Sequence, residues 1–207
     1  MKGLFVTFEG ADATGKTTQI KMLAKALEDI GVATVVTREP GGTDVAEKIR
    51  SLLLDKEMKI SAKTELLLYL AARTEHVENV IRPALQQGKI VICDRFLDST
   101  IAYQGFARGF AVEVVDSLNS FATDGLLPDV TFLLDAQPEL LEQRLCTRGE
   151  QNRLDAESTL FKAKVREGFL ALQQQHPKRI KLVEAARLPE QIHAEVWTIL
   201  ESKLQGE

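Results

Sequence analysis

The chain has 207 residues, a net charge of −4 and an apolar fraction of 44%. That is length enough for one domain with a substantial core, and too acidic a balance for a broad basic face on nucleic acid. No apolar run reaches membrane length, and two cysteines without metal-ligand spacing, Cys93 and Cys146, argue against a zinc site or a disulfide framework. A single cytoplasmic domain over 1–207, without membrane or nucleic-acid partners, is the expectation.

Short β-rich runs alternate with longer helical patterns. The apolar run Leu4–Phe8 predicts a buried strand, and Thr17–Ile30 a helix. Further strands are expected at Ala33–Thr37, Lys89–Cys93, Val130–Leu134 and Ile180–Val183. Helices are expected at Asp44–Leu54, Ala62–Gln87, Glu113–Thr123, Pro138–Arg148, Ala156–Gln175 and Pro189–Leu204. The last of these places Ile192, Val196, Ile199 and Leu200 on one stripe, which reads as core docking. Such alternation predicts an α/β fold, a parallel sheet with helices on both faces. The polar segment 148–155 interrupts the pattern between two helices and reads as a short lid.

Between the first strand and the first helix lies Gly10-Ala11-Asp12-Ala13-Thr14-Gly15-Lys16-Thr17, a phosphate-binding loop. Its glycines let backbone N–H groups turn toward phosphate oxygens, and the helix N-terminus behind it favours an anion. Lys16 is the residue expected on the β/γ-phosphates. Thr17 is expected on Mg²⁺, with Thr18 closing the loop on the nucleotide side. Asp94 ends another strand as a Walker B carboxylate does, and is the second candidate for Mg²⁺. Asp12 is anomalous: a carboxylate ~5–6 Å from each phosphate charge is opposed by about 3 kcal/mol at an effective dielectric near 20. It needs a compensating partner.

The loop alone does not separate a kinase from a GTPase, a motor or a non-catalytic switch. Asn152-Arg153-Leu154-Asp155 is a poor match to a guanine-reading Asn-Lys-x-Asp, because Arg replaces Lys and no strand precedes it. Two arginines are more informative. Arg38 and Arg95 each follow an apolar strand, at the carboxyl edge where open α/β sheets bind ligands. A single nucleotide on the loop does not need both; a second phosphate-bearing substrate does.

Phe8-Glu9-Gly10-Ala11-Asp12, Thr37-Arg38-Glu39-Pro40-Gly41-Gly42-Thr43, Asp94-Arg95-Phe96 and Ala102-Tyr103-Gln104-Gly105 together resemble the bacterial thymidylate kinases. The resemblance implies the P-loop nucleoside-monophosphate kinase fold with a five-stranded parallel sheet, a homodimer, and ATP + dTMP giving ADP + dTDP with Mg²⁺. It assigns Arg38 and Arg95 to the dTMP phosphate and Asp12 to the sugar 3′-hydroxyl. Tyr69 becomes a stacking platform for thymine, and Arg73, one turn on, a donor to its O4. Ser99, Thr100, Tyr103 and Gln104 line the acceptor, with Tyr103 where a 2′-hydroxyl would sit. Arg144 joins the ATP ligands. The phosphate loop carries no arginine, so the lid supplies it: Arg153 first, Arg148 second. Ala72 stands where the family often has Asp, which leaves open what orients Arg73. Glu75 and His76 read as surface. The apolar run Leu66–Ala72 suits either a dimer face or a buried helix. Two other functions remain: a nucleotide kinase of broader acceptor range, and a nucleotide-binding regulator that uses the loop as a switch.

Overall fold

The computed structural model describes residues 3–148, 153–154 and 157–204. Five strands form one parallel sheet: β1 (Leu4–Glu9), β2 (Thr34–Arg38), β3 (Ile90–Asp94), β4 (Val130–Asp135) and β5 (Ile180–Glu184), in the order β2-β3-β1-β4-β5. The five expected strands are present, and each runs one residue further at its carboxyl end than its apolar pattern indicates. The added residues are Glu9, Arg38, Asp94, Asp135 and Glu184. Ladder pairing is made by main-chain groups, so it continues past the last apolar side chain. Arg38 and Phe8 both pair with Asp94, which brings the ends of β2, β3 and β1 to one level.

Period-2 alternation sends the strand side chains to two cores. Phe5, Val91, Cys93 and Leu133 pack under α3 (Ala62–His76), α5 (Leu97–Thr100), α6 (Val112–Thr123) and α8 (Thr159–Gln175). Val6, Phe8, Ile92, Phe132 and Leu134 pack under α1 (Lys16–Asp29), α7 (Pro138–Arg148) and α9 (Pro189–Leu204). Ile192, Val196 and Leu200 are buried against this second core, and Ile199 and Trp197 are partly buried beside it. Each fully buried Phe, Ile or Leu contributes about 1.5–3 kcal/mol. α2 (Asp44–Leu54) starts where Thr43 Oγ1 accepts the Ala46 N–H at 3.1 Å.

Three helical expectations change. The single helix over 62–87 is α3, a wide π-type turn over Val77–Ile81, and α4 (Arg82–Gln86). Pro83 has no N–H to bond the carbonyl four residues back, so a regular ladder cannot cross it. The helix expected from Ala156 begins at Thr159, because Ser158 Oγ caps it by accepting the Phe161 N–H at 3.2 Å. A segment without an expected boundary, Leu97–Ala107, is helical: α5 runs into a π-type stretch over Ile101–Ala107. That stretch packs on α8, and it carries Tyr103 and Gln104, two of the residues expected at the acceptor.

Candidate active site

The phosphate loop folds over the end of β1. Gly10 has φ +127°, and a Cβ there would lie 2.2 Å from the Leu134 carbonyl oxygen, so only glycine fits. Ala13 (φ +63°) and Gly15 (φ +94°) are also left-handed, which turns successive N–H groups inward. Gly15 is the N-cap of α1 and provides no side-chain cap, so the first N–H groups of the helix remain for a ligand. Thr14 Oγ1 donates to the Ala11 carbonyl at 2.9 Å and braces the turn. Lys16 Nζ donates to the carbonyls of Gly10 and Ala11 at 3.1 and 2.8 Å. Burial, and then the charge of Arg95, lower its pKa to about 8.

The loop forms one end of a cavity of about 520 Å³, which Lys16, Thr17, Thr18 and Arg144 line together with Asp12, Ala13 and Gly15. Arg144 Nη1 donates to the Ala13 carbonyl at 3.3 Å, which places it on the loop. Asp94 lines the same cavity, and its buried Oδ1 accepts no hydrogen bond among the described residues. A buried carboxylate oxygen and a threonine hydroxyl lining one cavity are hard oxygen donors of the kind that suit Mg²⁺.

The other end of the cavity is built from arginines, each held by a carboxylate. Arg38 Nη2 reaches Glu47 Oε1 and Oε2 at 3.0 and 2.9 Å and is half exposed. Arg95 Nη2 donates to Asp12 Oδ1 at 2.9 Å, while Nη1 donates to the Gly10 carbonyl and to Ser99 Oγ at 3.0 and 3.1 Å. The compensating partner that Asp12 requires is therefore in place before any ligand. Arg95 itself lies at φ +67°, which costs a residue with a side chain on the order of 1–3 kcal/mol. Its guanidinium stands 5.3 Å from the Tyr103 ring centre.

Arg73 is 2% exposed yet lines the cavity. Its Nε donates to Glu39 Oε2 at 2.8 Å, and Nη1 donates to Thr100 Oγ1 and Asn119 Oδ1 at 2.8 and 2.6 Å. This answers the question posed by Ala72: Glu39, Thr100 and Asn119 orient Arg73. Glu39 also meets His76 Nδ1 at 3.0 Å, and His76 Nε2 meets Thr37 Oγ1 at 2.6 Å. The surface reading of His76 is thus wrong, since it is fully buried. Glu75 is partly exposed and accepts from Asn79. The Glu39-Pro40-Gly41-Gly42 turn has a cis Glu39–Pro40 bond. A Cβ at Gly42 (φ +89°) would lie 2.5 Å from the His76 ring, so the glycine allows His76 to sit there.

Tyr69 borders the same end, and burial, then the charge of Glu65, push its pKa up to about 12. Tyr103 and Gln104 also line it, Gln104 donating to Glu65 Oε1 at 2.9 Å. The sequence reading missed Glu39, Glu65, Asn119 and Arg50. Arg50 lines the cavity and donates to the Pro40 carbonyl at 2.8 Å. It shares a face of α2 with Ala46 and Leu54 at spacing four, a signal that was available. The partners of Arg73 lie 27 to 46 residues away and leave no local pattern.

Of the lid arginines, the Arg148 side chain lies outside the described residues. Arg153 Nη2 bonds Glu65 Oε2 at 2.5 Å and its Nε bonds the Leu53 carbonyl at 2.9 Å; it does not line the cavity, whereas Leu154 does.

A parallel sheet of this order, with the phosphate loop after its central strand and a row of arginines lining the same cavity, defines a P-loop nucleotide kinase of the nucleoside-monophosphate kinase fold. The family model for thymidylate kinase matches residues 8–196. A thymidylate kinase of Clostridium novyi (strain NT) is 44% identical over 198 residues, covering 94% of this chain and 97% of the relative. One from Thermoanaerobacter sp. (strain X514) is 46% identical over 204 residues, covering 99% and 100%. The crystal structure of thymidylate kinase from Ehrlichia chaffeensis superposes with a TM-score of 0.81 at 38% identity, covering 97% of this chain and all of that one. The chain belongs to the thymidylate kinase family.

Proposed function

We propose that the protein transfers the γ-phosphoryl group of ATP to dTMP, giving ADP and dTDP for dTTP synthesis. One observation carries the reading: a single cavity is lined both by the phosphate loop and by Arg38, Arg73, Arg95 and the Tyr69 ring. Phosphoryl transfer asks the protein for in-line positioning and charge stabilisation more than for covalent chemistry. Lys16, the loop amides, Thr18 and Arg144 hold the donor phosphates. Thr17 and the unpartnered Asp94 oxygen would hold Mg²⁺, which when bound neutralises charge on the phosphate oxygens. Arg38 and Arg95 take the acceptor phosphate, Tyr69 stacks on the base, and Arg73 donates to O4. Among the described residues Arg73 bonds protein through Nε and Nη1, which leaves Nη2 for the base. Asp12 turns to the 3′-hydroxyl when the acceptor phosphate displaces it from Arg95, and Tyr103 closes the 2′ side. Gln104 and Thr100 complete the base pocket, and Ser99 braces Arg95.

Arg153 remains the candidate for the transition-state arginine, on condition that it leaves Glu65. Its departure leaves Glu65 bonded to Arg108 and Gln104, so no buried carboxylate is stranded. A homodimer is supported by exposed Leu67 on α3 and Val114 and Phe121 on the adjoining α6; Phe121 is 84% exposed. The reaction is assigned to the cytoplasm on the family likeness; no described helix is long and apolar enough to cross a membrane. Coupled ADP release with a panel of nucleoside monophosphates tests the assignment. dTMP should give the highest kcat/KM. ATP binding without turnover on any acceptor would favour the regulator.

A further inference from the structure

Glu9, the last residue of β1, is fully buried and does not line the cavity. It follows Phe5 and Thr7 onto the sheet face covered by α5. Its Oε1 accepts the backbone N–H groups of Phe96 and Ser99 at 2.7 and 3.3 Å, and its Oε2 accepts the Ser99 hydroxyl at 2.5 Å. Phe96 is the N-cap of α5 and offers no side-chain acceptor, so Glu9 caps that helix from another strand. Ser99 Oγ gives its proton to Glu9 and accepts Arg95 Nη1 at 3.1 Å. These bonds bracket Arg95, the residue held at φ +67°.

We infer that Glu9 is a positioning residue that holds the turn 94–99 in its left-handed form, so that the Arg95 guanidinium points at the acceptor phosphate before ligand arrives. The inference rests on the acceptor role proposed for Arg95. Burial, and then the charge of Asp98, raise the Glu9 carboxyl pKa to about 7, against the hydrogen bond of Ser99, the charge of Arg95 and the N–H of Phe96. Lys16, Cys93 and Arg179 also feel its charge, and Arg179 clamps Asp98 with bonds of 2.6 and 2.7 Å. A carboxyl whose pKa is raised on folding binds its proton more tightly in the folded state. The contribution of this group to stability therefore falls as pH rises from the ordinary carboxyl value of 4.5 through about 7.

Glu9→Gln, Ser99→Ala, Arg95→Ala and the Glu9→Gln/Arg95→Ala double variant test this in the full chain at pH 8. Glu9→Gln should melt no lower than wild type, keep its ATP KM within about twofold, and lose about tenfold or more in kcat/KM for dTMP. By calorimetry, the double variant should bind dTMP no more weakly than Arg95→Ala alone. Ser99→Ala should show a smaller acceptor-side loss of the same kind, and it decides the matter if Glu9→Gln does not fold. Equal loss of dTMP affinity from Glu9→Gln with and without Arg95, a joint loss of ATP and dTMP use with a lowered Tm, or unchanged dTMP kinetics would each overturn the inference. Wild-type protein inert toward dTMP would instead overturn the proposed function.

Discussion

The two ends of the cavity are made of different material. The end proposed for the donor is main chain: left-handed residues, an uncapped helix and one lysine folded onto its own loop carbonyls. The end proposed for the acceptor is side chain: Arg38 on Glu47, Arg73 on Glu39, and Arg95 on Asp12. A main-chain cradle recognises what every nucleotide shares, a run of phosphates. Oriented guanidinium groups recognise one acceptor, because donor geometry distinguishes carbonyl from amine. Selectivity should therefore break at one end and turnover at either.

Lys16→Ala is the strongest test of the donor end. It should lower kcat by about 10³-fold or more with little change in Tm, because no apolar cavity opens. Acceptor selectivity tests the other end almost as hard. dCMP presents an amino group to Arg73, which puts donor against donor, and kcat/KM should fall on the order of 10³-fold below dTMP. Comparable use of both would break the role given to Arg73. Glu39→Gln removes the charge behind Arg73 and should raise KM for dTMP about tenfold or more while ATP KM stays within about twofold. Arg153→Ala sharpens the contrast from the lid: kcat and kcat/KM should fall together if the residue leaves Glu65 in the transition state, whereas a rise in KM alone would assign it to binding. The smallest effect is the thymine methyl. dUMP lacks it, and about 1 kcal/mol of lost burial predicts a kcat/KM some fivefold lower.

The donor end was legible because it is local. Gly10 to Thr17 are consecutive, and the helix behind them follows at once. The strands were legible from apolar runs, yet each boundary fell one residue short, and the missing residues include Glu9, Arg38 and Asp94. Apolar patterning marks where the core ends, and a site begins at that point. The acceptor arginines were visible through strand ends and a family resemblance, but their partners were not. Glu39 and Asn119 lie 34 and 46 residues from Arg73; Glu39 stands in a marked stretch, but nothing local ties it to Arg73, and nothing marks Asn119. His76 misled for the same reason: a lone polar residue at a helix end reads as exposed until the Glu39 turn is folded over it. The broken helix at 77–81 was foreshadowed by Pro83; the π-type run at 101–107 was not, because its residues carry an ordinary helical composition.

The Arg95–Asp12 and Arg38–Glu47 pairs have a consequence for leaving as well as for arriving. On the proposed assignment, an incoming phosphate takes the place of a carboxylate and does not meet a bare cation, so entry is an exchange of partners. The displaced carboxylates stay tethered within reach. Once dTDP has formed, Glu47 competes for Arg38, and Asp12 for Arg95 as soon as it lets the 3′-hydroxyl go, at high local concentration, as a fixed eluent does on an ion exchanger. The carboxylates that guard the empty site thus help to clear the full one.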